Sequence, residues 1–491
     1  MKTYMMYMLT ILLLSAQACK ETIVPTEIKA TPPVLFPDYT EVTIPANIAP
    51  LHFTVDAEFE KIDALVEGSN TGTIHVQENE YIKFTLKEWH DILNKNKGGH
   101  LKITISTKQA NGWIQYTPFN IYISPDPIDY ALAYRLIAPG YEVYSKMGIY
   151  QRSLNDFKQT PIIENTLLPG SCVNCHSFNQ NDPQFISLHI RGEYGSTLIS
   201  TDKAQDLFTT KTKETISNCV YPYWHPSGRY IAYSTNKTQQ GFHEINDKRI
   251  EVVDLASDVV VYDTEKNELF SSSLLKSDSI FETFPAFSPD GKSLYFCSAP
   301  IKPLPSEYDQ IKYSLCRIDF NPETGGFGTV VDTLVSAYQT NKSVSFPRPS
   351  FDGRYLMYTL SDYGNFSIWH TEADLCLIDL QTGMHRALDE VNSDQVESYH
   401  NWSSNSRWFV FSSRRLDGLY TRPFIASIDK NGNVGKPFLL PQQDIHHYDN
   451  LLYSFNIPEF ITGPVSIDVR AIEKQARSKV FKRFEYRSGK E

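Results

Sequence analysis

The sequence predicts an all-β protein: an N-terminal immunoglobulin-like β-sandwich, then a β-propeller of six blades, with seven as the alternative count. Three observations predict it. Aromatic residues make up 13% of the chain, with 29 Tyr and 28 Phe, a bias toward strands. Short segments that alternate apolar and polar residues fill residues 36–126. A strand–turn–strand unit then recurs four times from Tyr221 onward.

Residues 1–18 read as a signal peptide. Lys2 supplies a charged start, and the apolar run Met5 to Leu14 is too short to span a bilayer. Ala16-Gln17-Ala18 fits ordinary signal peptidase cleavage. The Cys19 that follows fits a bacterial lipoprotein, although Ala16 departs from the usual Leu of a lipobox. We read Cys19 as the lipidation site, because a free Cys directly after a cleavage site is otherwise an odd choice. Residues 19–35, with Pro25, Pro32 and Pro33, read as the lipid-anchored tether. The expected location is the cell envelope of a Gram-negative bacterium, anchored to the outer membrane. The formal net charge of −11 argues against nucleic acid as a partner.

Residues 36–126 form the predicted sandwich, through segments such as Leu51 to Val55, Gly72 to Val76, Leu101 to Ile105 and Phe119 to Ile123. One amphipathic helical piece, near Lys87 to Lys95, interrupts them. No site chemistry is visible here, so this domain reads as a spacer or docking module.

Residues 127–462 form the predicted propeller. Four stretches align: Tyr221 to Gly228, Phe284 to Gly291, Phe346 to Gly353 and Tyr399 to Ser406. Their turn positions fall 63, 62 and 53 residues apart. Each is followed by a second strand, ending in Tyr262-Asp263, Ile318-Asp319, Ile378-Asp379 or Ile428-Asp429, then a turn and a further strand: one four-stranded blade. The glycines serve the turns, which need positive φ. Two weaker blades precede these four. Met147 to Arg152 with Thr160 to Ile163 suggest one; Ile186 to Ile190, Ser196 to Ser200 and Asp206 to Phe208 suggest the next. Leu451 to Phe460 supplies a closing strand. The tail, residues 463–491, is basic, with a helical stretch from Ala471 to Phe484.

Between the two weaker blades, in an expected loop at residues 168–183, stands Cys172-Val173-Asn174-Cys175-His176. C-x-x-C-H is the pattern of c-type haem attachment. Two thiols form thioethers with the two vinyl groups of one porphyrin, and the next residue, His176, becomes the proximal iron ligand. Export agrees with this chemistry, because haem is attached covalently outside the cytoplasm. The plainer alternatives are an exposed Cys pair, or a redox C-x-x-C followed by an unrelated His. One covalent haem c is the expected cofactor. His189 is the nearest candidate for the sixth ligand and, with His176, completes the expected metal set; Met147, His225 and His400 are the other candidates. Cys297, Cys316 and Cys376 sit in strand-like runs and read as buried free thiols.

Arg414, Arg415 and Arg422 fall within nine residues and form a candidate anion or partner site. The competing reading pairs them with acids such as Asp429 or Glu372. The case for an enzyme is thin. There is no Gly-x-Ser-x-Gly elbow, no phosphate-cradling Gly loop and no His-Glu-x-x-His. His446-His447 with Asp449 is a weak metal candidate.

The aromatic-Pro-x-aromatic-Ser-Pro-Asp-Gly pattern resembles the TolB-type blade. The run Ser398 to Pro423, the segment Cys172 to Phe178 and Leu188-His189-Ile190-Arg191-Gly192 together resemble a family of exported bacterial TolB-like propeller lipoproteins with a single c-type haem motif, loosely labelled cytochrome c-related. The resemblance covers most of the chain. It implies fold and haem and brings no substrate. The expected function is extracytoplasmic electron transfer or redox sensing. The alternatives are a non-redox scaffold for protein or glycan partners, and a haem enzyme with an open iron site. A redox partner protein or a glycan or protein ligand is expected, together with a membrane reached through the lipid anchor.

Overall fold

A computed structural model describes residues 22–139, 146–244 and 248–487. The expected signal peptide and lipidation site at Cys19 lie outside the described residues. Over these, the chain forms two compact units: residues 22–41 with 50–123, and residues 42–49 with 124–487. The main boundary falls after residue 123. The short segment 42–49 joins the second unit, where Asn47 Nδ2 donates to Ile128 O at 2.8 Å and Ala49 N to Leu154 O at 2.7 Å. Those partners lie far along the chain, so local pattern does not reveal them.

The first unit is built on a mixed sheet in the order Pro25–Ile28, Gly112–Gln115, His100–Gln109, Lys61–Gly68 and Thr73–Glu78, with Phe119–Ser124 also paired to His100–Gln109. Residues 25–28, expected in the tether, therefore form a parallel edge strand against Gly112–Gln115. The predicted helix spans Leu86–Lys95. Thr85 caps it, accepting from Glu88 N, and its inner face buries Trp89, Ile92 and Leu93.

The second unit is a six-bladed propeller. Each blade is an antiparallel sheet of four strands, taken here from the channel outward. Blade 1 is Ser454–Ile461, Ala131–Ile137, Gly148–Ser153 and Gln159–Glu164. Blade 2 is Ser171–Asn179, Asp182–Gly192, Ser196–Ser200 and Gln205–Thr209. The innermost strands of blades 3 to 6 are Cys219–Trp224, Ile280–Phe287, Ser343–Pro349 and Glu397–Trp402. The ring closes because blade 1 takes its innermost strand from the far end of the propeller sequence. That pairing removes two open sheet edges. The six sheets settle the blade count against seven.

The tail differs from expectation. Its helix is Val469–Ser478, and the remainder adds two short parallel strands, Lys482–Arg483 on blade 2 and Glu485–Tyr486 on blade 3. Phe484 between them is buried and stacks on Tyr262 at 3.7 Å between centroids. The tail thus laces the outer edges of two blades.

One local feature organises the channel. Each innermost strand carries a β-bulge, and at each bulge one residue has φ near +50°: Ile457 (53°), Cys175 (51°), Tyr221 (51°), Phe284 (50°), Phe346 (51°) and Tyr399 (50°). The next residue is Pro458, His176, Pro222, Pro285, Pro347 and His400 in turn. Cys175-His176-Ser177-Phe178 is therefore the blade 2 copy of the aromatic-Pro-x-aromatic signature. The motif does not lie in an inter-blade loop at 168–183, as expected, but on the channel-lining strand Ser171–Asn179. The sequence hides this because a Cys and a His replace the aromatic and the Pro that mark other blades.

Candidate functional site

The six positive-φ residues form a girdle across the channel. Tyr221 meets Phe284 at 4.6 Å between centroids, Phe284 meets Phe346 at 4.2 Å, and Phe346 meets Tyr399 at 5.0 Å. Ile457 and Cys175 occupy the two remaining positions. Where four blades place a ring, blade 2 places a thiol.

On one side of the girdle lies a cavity of about 550 Å³. Cys172, Cys175, Asn174 and His189 line it, with Arg135, Arg191 and Arg414, Trp369, and the extended strands Tyr230–Phe242 and Ile250–Asp263 of blade 3. Both thiols are unpaired. On the other side is a much smaller space, about 20 Å³, lined by His176, His400, Arg348 and Glu459 among others. Cys175 borders both spaces.

His176 is 2% exposed, and its ring nitrogens face the backbones of Ile457 and Ala133 without a hydrogen bond of ordinary geometry. Burial, and secondarily the charge of Arg135, pull its pKa down to about 3. It is a neutral imidazole across the physiological range, the form that ligates metals. His400 has the same character: buried, unpartnered at both nitrogens, and lowered to about 3 by burial. His189, across the strand pair from Asn174, is also buried and lowered to about 3, with its Nδ1 3.0 Å from Thr197 Oγ1. With its amide oriented to satisfy both neighbours, Asn174 donates to His189 O at 3.1 Å and accepts from Arg191 Nε at 3.2 Å.

The other candidates separate from this site. Met147 is buried just before the blade 1 strand Gly148–Ser153 and lines neither space. His225 lies 2.8 Å from Ser227 Oγ and 3.1 Å from Gly291 O, pinning two blade turns together. The three arginines expected to act together are split. Arg414 reaches the cavity. Arg415 Nη2 instead donates to buried Glu397 Oε1 at 2.8 Å. Arg422 donates to the carbonyls of Tyr453, Tyr448 and Leu451 at 2.7, 2.8 and 3.1 Å. Neither Asp429 nor Glu372 is the partner. His446 and Asp449 lie 3.3 Å apart, yet no group of three or more His, Cys, Asp or Glu is arranged to hold a metal ion among the described residues. Cys219, Cys297, Cys316 and Cys376 are buried free thiols.

Three neutral buried histidines make the fold acid-sensitive. Unfolded, each binds a proton near pH 6.5; folded, near 3. Stability from these groups is full above about 6.5 and is lost as pH falls toward 3. Glu459, raised by burial to about 7, acts oppositely: its contribution fades as pH rises through that value. His400→Pro restores the residue four other blades carry. We expect it to flatten the stability profile between pH 4 and 6 by about 1.4 kcal/mol per pH unit, measured by urea unfolding at each pH. An unchanged slope would show that His400 is not held neutral.

No protein-family model matches the chain, and no curated protein matches it. Several solved structures are similar. A puromycin-hydrolyzing peptidase of Mycobacterium tuberculosis aligns over 86% of this chain and 57% of its own, at 10% identity and a TM-score of 0.34. The tricorn protease aligns over 79% of this chain and 36% of its own, at 12% identity and 0.35. A DUF4784 family protein from Bacteroides caccae aligns over 72% of this chain and 95% of its own, at 9% identity and 0.31. The chain thus spans about half the length, or less, of the two peptidases.

Proposed function

We propose that the protein is a monohaem c-type protein built on a TolB-type propeller and acting in extracytoplasmic electron transfer or redox sensing. One observation carries the reading: the C-x-x-C-H lies on the channel-lining strand of blade 2, with both free thiols on the cavity wall and the adjoining His176 neutral and unpartnered. The residues fit the group in kind. Cys172 and Cys175 would hold the porphyrin and His176, which lines the smaller space across the girdle, the iron; His189 is the histidine that lines the cavity itself. When bound, haem supplies a one-electron iron couple. The chain's own part is to keep the imidazoles neutral, to wall the group from water, and to set positive charge around it. A cavity of this size is ordinary for a cofactor.

In this reading Cys19 anchors the protein by lipid to the outer membrane. The N-terminal unit, a sheet-based module capped by one helix, is taken as an immunoglobulin-like spacer or docking domain. The test is expression with a c-type maturation system, followed by denaturation and acid–solvent extraction. Haem absorbance that stays with the chain is the expected result. Haem that is extracted, or never present, overturns the reading and leaves a non-redox binding propeller.

A further inference from the structure

The cavity wall has an imbalance of charge. Arg135 comes from blade 1, Arg191 from blade 2 and Arg414 from the segment after a blade 6 strand, and all three line one cavity. No Asp or Glu is among the described residues lining it, although the whole chain carries a net charge of −11. Among the described residues, no ion pair joins any of the three to a carboxylate, whereas Arg415 next door is paired with Glu397.

Arg414 is the built element. It is 4% exposed, its Nε donates to Ile368 O at 2.8 Å, a second nitrogen donates to Leu419 O, and its guanidinium lies 3.3 Å from the Trp369 ring centroid. Stacking and two carbonyls hold the group in place without neutralising it. Burial lowers its pKa to about 9, so it stays charged at neutral pH. The Nε of Arg135 is buried and has no partner. The acid nearest in effect, Asp417, pairs with Arg422 at 3.6 Å and makes no ion pair with Arg414; a buried guanidinium left without a direct partner is costly, and an anion seated in the cavity lowers that cost. Planar forked donors match carboxylates in particular.

We infer that the cavity is a carboxylate-binding site in which Arg414, Arg135 and Arg191 receive the acid groups of a ligand of porphyrin size or smaller. Two sources share this chemistry: the two carboxylate arms of a covalently held porphyrin, which rests on the haem reading, or a free organic acid, which does not.

The test uses full-length Cys172→Ala/Cys175→Ala protein, which has no thiols for covalent attachment, so failure of the haem reading does not decide it. Two probes are titrated by quenching of tryptophan fluorescence: iron-free mesoporphyrin, with both acid arms, and its dimethyl ester, with both arms capped. The diacid is expected to bind about tenfold or more tightly than the ester, which is about 1.4 kcal/mol or more. Arg414→Gln and the exposed Arg191→Gln are each expected to remove most of that preference; Arg191→Gln keeps the test valid should Arg414→Gln fail to fold. Competition by succinate assigns the free-acid source, and its absence assigns the porphyrin arms. Equal binding of diacid and ester, no binding of either, or a preference that survives Arg191→Gln and Arg414→Gln overturns the inference.

Discussion

His176→Pro will fold and carry no covalent haem, whereas His400→Pro will fold and keep its full complement. Both histidines follow a bulge residue with φ near +50°, at the position where four other blades carry Pro. At blade 2 the strand pairing runs from Asn174 with His189 to Ser177 with Ser187, so His176 lies in the bulge outside the ladder. At blade 6 it runs from Ser398 with Ser412 to Asn401 with Val410, which leaves His400 outside as well. Proline therefore removes no ladder hydrogen bond at either site. The two variants are matched in fold and differ only in whether a thiol pair precedes the substituted residue. Haem absorbance per denatured chain, with urea midpoints for both, is the measurement. Covalent haem retained by His176→Pro, at wild-type level, would contradict the assignment of His176.

Glu397→Ala will destabilise the propeller by about 3–5 kcal/mol, the range for stripping a partner from a buried ion pair. Glu397 is fully buried on the innermost strand of blade 6. Its carboxylate accepts from Ser393 N at 2.9 Å, Ser393 Oγ at 2.7 Å, Ser413 Oγ at 2.7 Å and Arg415 Nη2 at 2.8 Å. Removing it leaves the half-buried Arg415 and two hydroxyls without their acceptor. Glu397→Gln, which keeps the volume, will cost less. Urea unfolding monitored by fluorescence gives both values. A loss under about 1 kcal/mol for Glu397→Ala would place Arg415 among loosely held surface groups and return it to the candidate anion site.

What was legible follows from what is local. The blade signature at Tyr221, Phe284, Phe346 and Tyr399 is legible because bulge, turn and second strand lie within one short stretch. The outer strands of the first two blades and the closing strand near Leu451 to Phe460 are legible for the same reason. The innermost strand of blade 2 was hidden because Cys175 and His176 replace its marker residues, so the motif stood out as chemistry rather than as structure. The signal that marks it is Phe178, which stands three residues after Cys175 as Trp224 does after Tyr221 and Phe287 after Phe284. The cavity arginines were hidden for a different reason. Arg135, Arg191 and Arg414 are brought together only by closure of the ring, whereas Arg414, Arg415 and Arg422 are sent to different partners by the turn between strands Trp408–Ser413 and Arg422–Ser427. The strands of the tail, two residues each, carry no periodicity to read.

The proposed haem function places one porphyrin on Cys172 and Cys175 at the channel wall. The most direct measurement is the intact mass of the denatured chain, purified after expression with c-type maturation and treated with a thiol-alkylating reagent. The expected result is the mass of the mature chain plus one haem, with Cys219, Cys297, Cys316 and Cys376 alkylated and the peptide spanning Cys172 to His176 bearing no alkyl group. A chain without the haem increment, alkylated at both Cys172 and Cys175, would contradict it.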